Sequence, residues 1–349
     1  MARLSPDDPA SGTPVADGRL GPAPSPLTAL TMSDADPLAA VWSGDHLDET
    51  RIRFADVDGL RTRYYDAGSG DAVVLIHGGQ FGSLYSLDCW SLNLLPLGER
   101  LRVIAYDKPG QGYTDKPALP EDYVVERVVR HGLLLLDRLD LGAVHLVGHS
   151  RGGLLAARIA IERPDRIRTL TLVDSGSLAP HDPALPVGAF YAPFEDRRLW
   201  DRPGRATALA EPAAQAFRPE WITEDFLDRM ARIAMLPATA SVRRTFAEVE
   251  MARWRPSLAR CREDTLRHID AWGLPVPTLI LWGYNDRSAP RHLGVRLFER
   301  VAGRTPDVGL TVLSSAGHYL FRDRPDAFSE IVTSFCLGRG RAVAARGDG

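Results

Sequence analysis

Apolar residues recur along this chain in short blocks separated by segments of longer period. Ala72-Val73-Val74-Leu75-Ile76, Ala143-Val144-His145-Leu146-Val147 and Pro277-Thr278-Leu279-Ile280-Leu281-Trp282 are rich in β-branched residues and nearly free of polar ones. That is the pattern of strands buried on both faces. Further strands are expected at 102–106, 169–173 and 310–313, and an antiparallel hairpin at 52–57 and 61–66 across Asp58-Gly59. Between strands the period lengthens: Val125, Val128, Val129, Leu133, Leu136 and Leu139 make a helical stripe within 122–139. Strands alternating with helices predict an α/β fold, a mostly parallel eight-stranded sheet with helices on both faces.

The alternation stops after Ser177. From 178 to about 257 the chain carries Phe190, Tyr191, Phe194, Trp200, Phe217, Trp221, Phe226, Phe246 and Trp254 among many charges, with an amphipathic helix expected at 223–235. This insertion follows a strand end, so it is expected to form a helical lid over that edge of the sheet. The core then comprises 46–177 and 258–338. Residues 1–45 and 339–349 are rich in Pro, Ala, Gly, Asp and Ser or in Arg and Gly, and are expected to be flexible tails.

Composition narrows the class only a little. The chain has 349 residues, 44% hydrophobic and 25% charged, with a formal net charge of -3 and a pI near 6.3. Nothing there points to nucleic acid. No apolar run approaches the ~18 residues of a membrane helix, and no secretory leader is evident. Cys89, Cys261 and Cys336 are widely spaced and odd in number, so neither a disulfide framework nor a metal site is expected, and a reducing, cytoplasmic compartment is. Assembly as a homodimer is left open.

The chemistry is concentrated at strand ends. Gly148-His149-Ser150-Arg151-Gly152 joins a buried strand to Leu154-Leu155-Ala156-Ala157, which has helical composition. A serine on so sharp a turn is held in a strained backbone with its hydroxyl exposed, and the flanking glycines avoid side-chain collisions. The partners of such a nucleophile follow it as acid, then histidine. Asp286 lies in Gly283-Tyr284-Asn285-Asp286 and His318 in Ala316-Gly317-His318-Tyr319, each just past a strand. His318 would take and return the hydroxyl proton, and Asp286 would orient its ring. Asp174, at the end of 169–173, is a rival acid; a loop-bracing role is preferred for it. His77-Gly78-Gly79-Gln80 closes another strand, and the amides of Gly79 and Arg151 are the candidate oxyanion donors. His77 and His149 read as supports rather than bases. Gln80, Tyr85, Phe190, Trp221 and Tyr319 are the candidate substrate-binding residues, under an apolar roof.

With these segments in view, and with Tyr106-Asp107-Lys108-Pro109-Gly110-Gln111-Gly112 and Pro164-Asp165-Arg166-Ile167, the chain resembles the α/β-hydrolase-fold serine hydrolases over about 51–335. Within that superfamily the likeness is to hydrolases that cut ring-cleavage products of aromatic degradation at a carbon–carbon bond. Three positions depart from that pattern: His149 stands where those enzymes usually have Asn, Tyr319 where they have Trp, and Arg229 falls one place before their lid arginine. The resemblance implies a cofactor-free serine hydrolase acting on a small hydrophobic carbonyl substrate, either an ester or lactone or a vinylogous carbon–carbon bond, through an acyl-enzyme or equivalent tetrahedral intermediate. A thioesterase or cyclase, and a non-catalytic small-molecule receptor on the same fold, are the alternatives.

Overall fold

A computed structural model of the chain describes residues 39–185 and 187–344. Eight strands form one sheet: β1 (Ile52–Val57), β2 (Leu60–Gly68), β3 (Ala72–Ile76), β4 (Arg102–Tyr106), β5 (Val144–His149), β6 (Ile167–Val173), β7 (Thr278–Gly283) and β8 (Val308–Leu313). Their order is β1-β2-β4-β3-β5-β6-β7-β8. Only β2 runs against its neighbours; all other pairings are parallel. The expected strands are all present, several a residue or two longer. Apolar layers lie on both faces. Val74, Ile104, Leu146 and Leu172 pack on one side, and Val73, Leu75, Val147 and Leu281 on the other, as side-chain alternation requires of a doubly covered sheet. The stripe expected at 122–139 appears as the helix Val125–Arg138, with Val125, Val128, Val129, Leu135 and Leu136 buried.

The direction of winding reverses at β3, which has β4 on one side and β5 on the other. At such a switch point the loops leaving the two strands part in opposite directions and open a crevice at their carboxyl ends. The register aligns those ends, with Ile76 opposite Gly148, Val173 opposite Leu281 and Gly283 opposite Leu313. The segments carrying the glycine loop, Ser150, Asp286 and His318 therefore leave the sheet at one edge.

Between β6 and β7 the chain forms short helices, including Val187–Tyr191, Arg205–Gln215, Glu224–Met235 and Pro237–Val249. Thr223 caps the third through Phe226 N. Pro256 cannot donate a ladder hydrogen bond, and the turn preceding it, Glu250–Trp254, widens to a π-helix before the core helix Arg255–Trp272.

Both tails need correction where they are described. The first was drawn to residue 45, yet Ala39–Ser43 is helical and Trp42 and Asp45 are buried. Asp45 pairs with the fully buried Arg322 and, at 3.1 Å, with Arg229, and accepts from Thr223 at 2.9 Å. A composition argument averages over a window and misses one aromatic and one acid with partners far away in sequence. The second tail was drawn from 339, but the helix Pro325–Ala344 runs into it as far as Ala344. The remainder of both tails lies outside the described residues. Among the described residues no helix is long and apolar enough to cross a membrane.

Burial pushes the Asp45 carboxyl up, but Arg322 and Arg229 outweigh it and hold it below the usual range. Its contribution to stability is thus complete above the unfolded-state value, about 3.9, and is lost as pH falls through the lower folded value. Asp45→Ala leaves Arg322 buried without its carboxylate and is expected to cost about 3–5 kcal/mol. Urea unfolding at pH 7 measures it; a loss under 1 kcal/mol would remove Asp45 from the folded core.

Candidate active site

Ser150 has φ 54° and ψ -119°, outside the regions a serine normally adopts. Its backbone is held there on both sides. Its N–H donates to Val173 at 2.8 Å, and its carbonyl accepts from Gly153 N, Ser175 Oγ and Ser177 Oγ at 3.0, 2.8 and 3.0 Å. Strain of this kind persists only where the surroundings over-determine the backbone. The flanking glycines are obligatory for a measurable reason: a Cβ on Gly148 would lie 2.3 Å from Gly152 O, and one on Gly152 2.2 Å from Ile76 O. Gly152→Ala is therefore expected to destabilise the fold by about 3 kcal/mol, at the top of the overpacking range, because the atoms it meets, Ile76 O and His77 O, are backbone and cannot swing aside. A thermal midpoint equal to wild type would contradict the tightness of the elbow.

Asp286 and His318 are joined. Nδ1 of His318 lies 2.6 Å from Asp286 Oδ2, and both side chains are buried. The other carboxylate oxygen accepts from Ser288 N, Ser288 Oγ and Ala289 N at 2.8–2.9 Å, which fixes the acid loop. Nε2 of His318 is buried without a hydrogen-bond partner, so that nitrogen is available to a hydroxyl proton. Asp174 braces instead: its Oδ1 accepts from Gly283 N at 2.7 Å, where the acid loop leaves β7, and its Oδ2 has no partner. Burial, with Asp286 adding to it, pushes the Asp174 carboxyl well above the usual range.

His77 and His149 are supports. Lys108 N donates to His77 Nε2 at 3.1 Å, which leaves Nδ1–H to donate to Gly78 O at 2.8 Å. His149 Nε2–H donates to the carbonyl of His318 at 2.9 Å. Burial lowers both imidazoles well below the usual value, so each stays neutral. Gly79 has φ 75° and no room for a side chain, with Ser83 Oγ 2.1 Å from a built Cβ. Lys108 was not singled out from sequence. Its Nζ donates to Gly79 O at 2.9 Å and, buried beside Arg151, its amine is driven well below the usual lysine value.

The candidate substrate residues divide. Tyr85 and Tyr319 stack, ring centres 5.5 Å apart and planes 2° from parallel, and both line a cavity beneath the insertion. Gln80 is partly exposed in the glycine loop, its carbonyl accepting from Ser83 N. Trp221 is corrected: it is fully buried, its Nε1 donates to Asp323 at 2.9 Å, and its ring packs behind Tyr319 at 5.0 Å. An indole that finds a carboxylate partner inside becomes core. Phe190 packs edge-on against Tyr191 and Phe194, and Phe194 is the one that lines the cavity. Sequence reasoning missed Glu211, which lines the same cavity. The signal was present: within Arg205–Gln215 the buried residues are Thr207, Ala208, Pro212 and Gln215, and Glu211 shares their face.

Asp323 ties the insertion to the histidine loop. It accepts from Gly317 N at 2.7 Å and from Arg218 N at 2.7 Å, while Gln215 O accepts from His318 N at 3.2 Å.

A strained serine at a strand–helix elbow, with an acid–histidine pair beyond later strands of one parallel sheet, defines a hydrolase class. The chain belongs to the alpha/beta hydrolase family, whose model matches residues 73–331. It is 30% identical to 2-hydroxymuconate semialdehyde hydrolase of Pseudomonas sp. (strain CF600), over 79% of this chain and 90% of that one. It is 28% identical to 2-hydroxy-6-oxo-6-phenylhexa-2,4-dienoate hydrolase of Comamonas testosteroni, over 83% and 96% of the two chains. The meta-cleavage product hydrolase of Pseudomonas fluorescens IP01 superposes with a TM-score of 0.67 at 24% identity, over 83% and 99% of the chains. That likeness in structure is one of fold.

Proposed function

We propose that this protein is a serine hydrolase of small hydrophobic carbonyl substrates, with esters or lactones first. Ser150 attacks the carbonyl, His318 takes its proton through Nε2 and returns it to the leaving group, and Asp286 holds the Nδ1–H tautomer. The amides of Gly79 and Arg151 receive the oxyanion. The acyl-enzyme is then released by water activated through His318. Side chains alone activate the nucleophile, so the mechanism calls on no cofactor. The observation that carries this reading is the 2.6 Å His318–Asp286 bond with Nε2 left open at the edge where Ser150 is presented.

The insertion serves as a lid in this reading. The cavity beneath it encloses about 30 Å³, room for one or two waters, so a substrate enters only when the helices lift. Its lining by Tyr85, Tyr319, Phe194 and Met230 supports an apolar acyl or aromatic group. Carbon–carbon bond hydrolysis is the second reading, favoured by the named activities of the two relatives; the same nucleophile and base would serve it. Assaying 4-nitrophenyl butyrate beside a coloured dienoate ring-cleavage product separates the two. Turnover of neither by well-folded protein would sink both.

A further inference from the structure

Glu211 enters the cavity from the helix Arg205–Gln215, partly buried among Tyr85, Phe194, Met230 and Tyr319. Its Oε1 accepts from Gln215 Nε2 at 2.9 Å. Gln215 in turn accepts the Tyr85 hydroxyl at 3.4 Å and, through its carbonyl, the His318 N–H at 3.2 Å. The carboxyl is therefore anchored one residue away from the backbone of the proposed base. The other acid lining the cavity, Glu195, is already matched by Arg243 at 3.2 Å. Arg243 also lies 3.4 Å over the Trp200 ring, so the one cation of the cavity lining is engaged twice. Within the lining, ionised Glu211 thus has no cation left to pair with; the cation that draws on its charge, Arg151, stands outside the lining.

The groups facing Glu211 come from several elements. Burial drives its carboxyl up, His318 and Arg151 draw it down, Glu195 pushes it up, and the bond from Gln215 lowers it. The phenols of Tyr85, Tyr191 and Tyr319 also sense its charge. Burial dominates, and the carboxyl is raised to about 7. It is a neutral hydrogen-bond donor below that pH and an anion above it. A second carboxylate entering a partly desolvated space beside the anion meets like-charge repulsion without water to screen it.

We propose that Glu211 makes the cavity beneath the insertion select neutral carbonyl substrates and exclude those that place a carboxylate there. The inference rests on the hydrolase reading only in taking this cavity, which Tyr319 next to His318 lines, as the place of the substrate. It narrows the substrate class to uncharged esters, lactones or hydroxyl-bearing carbonyl compounds. It also separates this chain from the Comamonas testosteroni relative, whose named substrate is a dienoate.

The test uses the full chain and three stable anilides: butyranilide, succinanilic acid, which carries a carboxylate on the acyl side, and 4-butyramidobenzoic acid, which carries it on the other. Isothermal titration at pH 8.5 is expected to show at least one acid binding wild type tenfold or more weakly than butyranilide. The gap falls below threefold at pH 6.0, where Glu211 is neutral, and in Glu211→Gln at either pH. Glutamine keeps the volume and the bond from Gln215, and the pH arm needs no variant at all. A gap that persists in Glu211→Gln or ignores pH, equal binding of all three by wild type, or no binding of butyranilide overturns the proposal. Fluorophosphonate labelling of the same wild-type sample keeps the two ideas apart. The gap without labelling supports selection by Glu211 and overturns only the hydrolase reading; labelling with a gap that survives in Glu211→Gln does the reverse.

Discussion

Ser150→Ala is expected to abolish fluorophosphonate labelling and to lower kcat by up to about six orders of magnitude, the loss seen when a triad nucleophile is removed from an intact site. The size follows from what the serine does alone. His318 and Asp286 have no nucleophile of their own to offer, and the oxyanion donors then stabilise only the far slower attack of water. The variant should fold normally, because the elbow is held by the backbone N–H and carbonyl of Ser150, bonded to Val173, Gly153, Ser175 and Ser177. A thermal midpoint close to wild type with no labelling is the expected pair of results. Labelling that survives the substitution would place the nucleophile elsewhere.

Asp286→Asn is expected to lower kcat by about four orders of magnitude, by favouring the wrong imidazole tautomer. The amide of Asn would donate toward Nδ1, whose proton would move to Nε2, where a base needs its lone pair. Asp174→Asn is expected to cost less than tenfold. Burial disfavours the charged form of Asp174, and Asn keeps its shape and can still accept the Gly283 N–H. Steady-state kinetics of the two variants on one ester decide the matter. If Asp174→Asn is the more damaging change, Asp286 is not the acid.

Much of this was legible in the chain itself. The strands around β3, β5 and β7 are nearly uniform apolar runs, because a parallel sheet covered on both faces gives them no polar side. Ser150 and Asp286 each follow such a run and His318 follows the edge strand β8, and a residue just past a parallel strand can only emerge at the sheet's carboxyl edge. Asp286 and Asp174 were separable in part, since Gly283 leaves the acid loop free to turn. Asp286 was preferred as the acid and Asp174 as a brace on that ground; the contacts themselves, to the histidine at 2.6 Å and to Gly283 N, are tertiary.

The insertion was the least readable part, for a physical reason. Its helices bury residues against the core and one another, so burial at a given position depends on partners a hundred residues away. Trp221 looked like a roof residue and became core because Asp323 gives its indole a buried acceptor. Trp42 and Asp45 sit in a segment of tail-like composition and are held by Arg322, more than 270 residues distant in sequence. What the sequence determined by itself was local: the period of each element, the glycines that a tight elbow demands, and the order of the proposed nucleophile, acid and base. Tertiary structure alone decided which carboxyl carries charge. Desolvation and neighbouring charge set that, and they pushed Asp174 well above the usual range, held Asp45 below it and raised Glu211 to about 7.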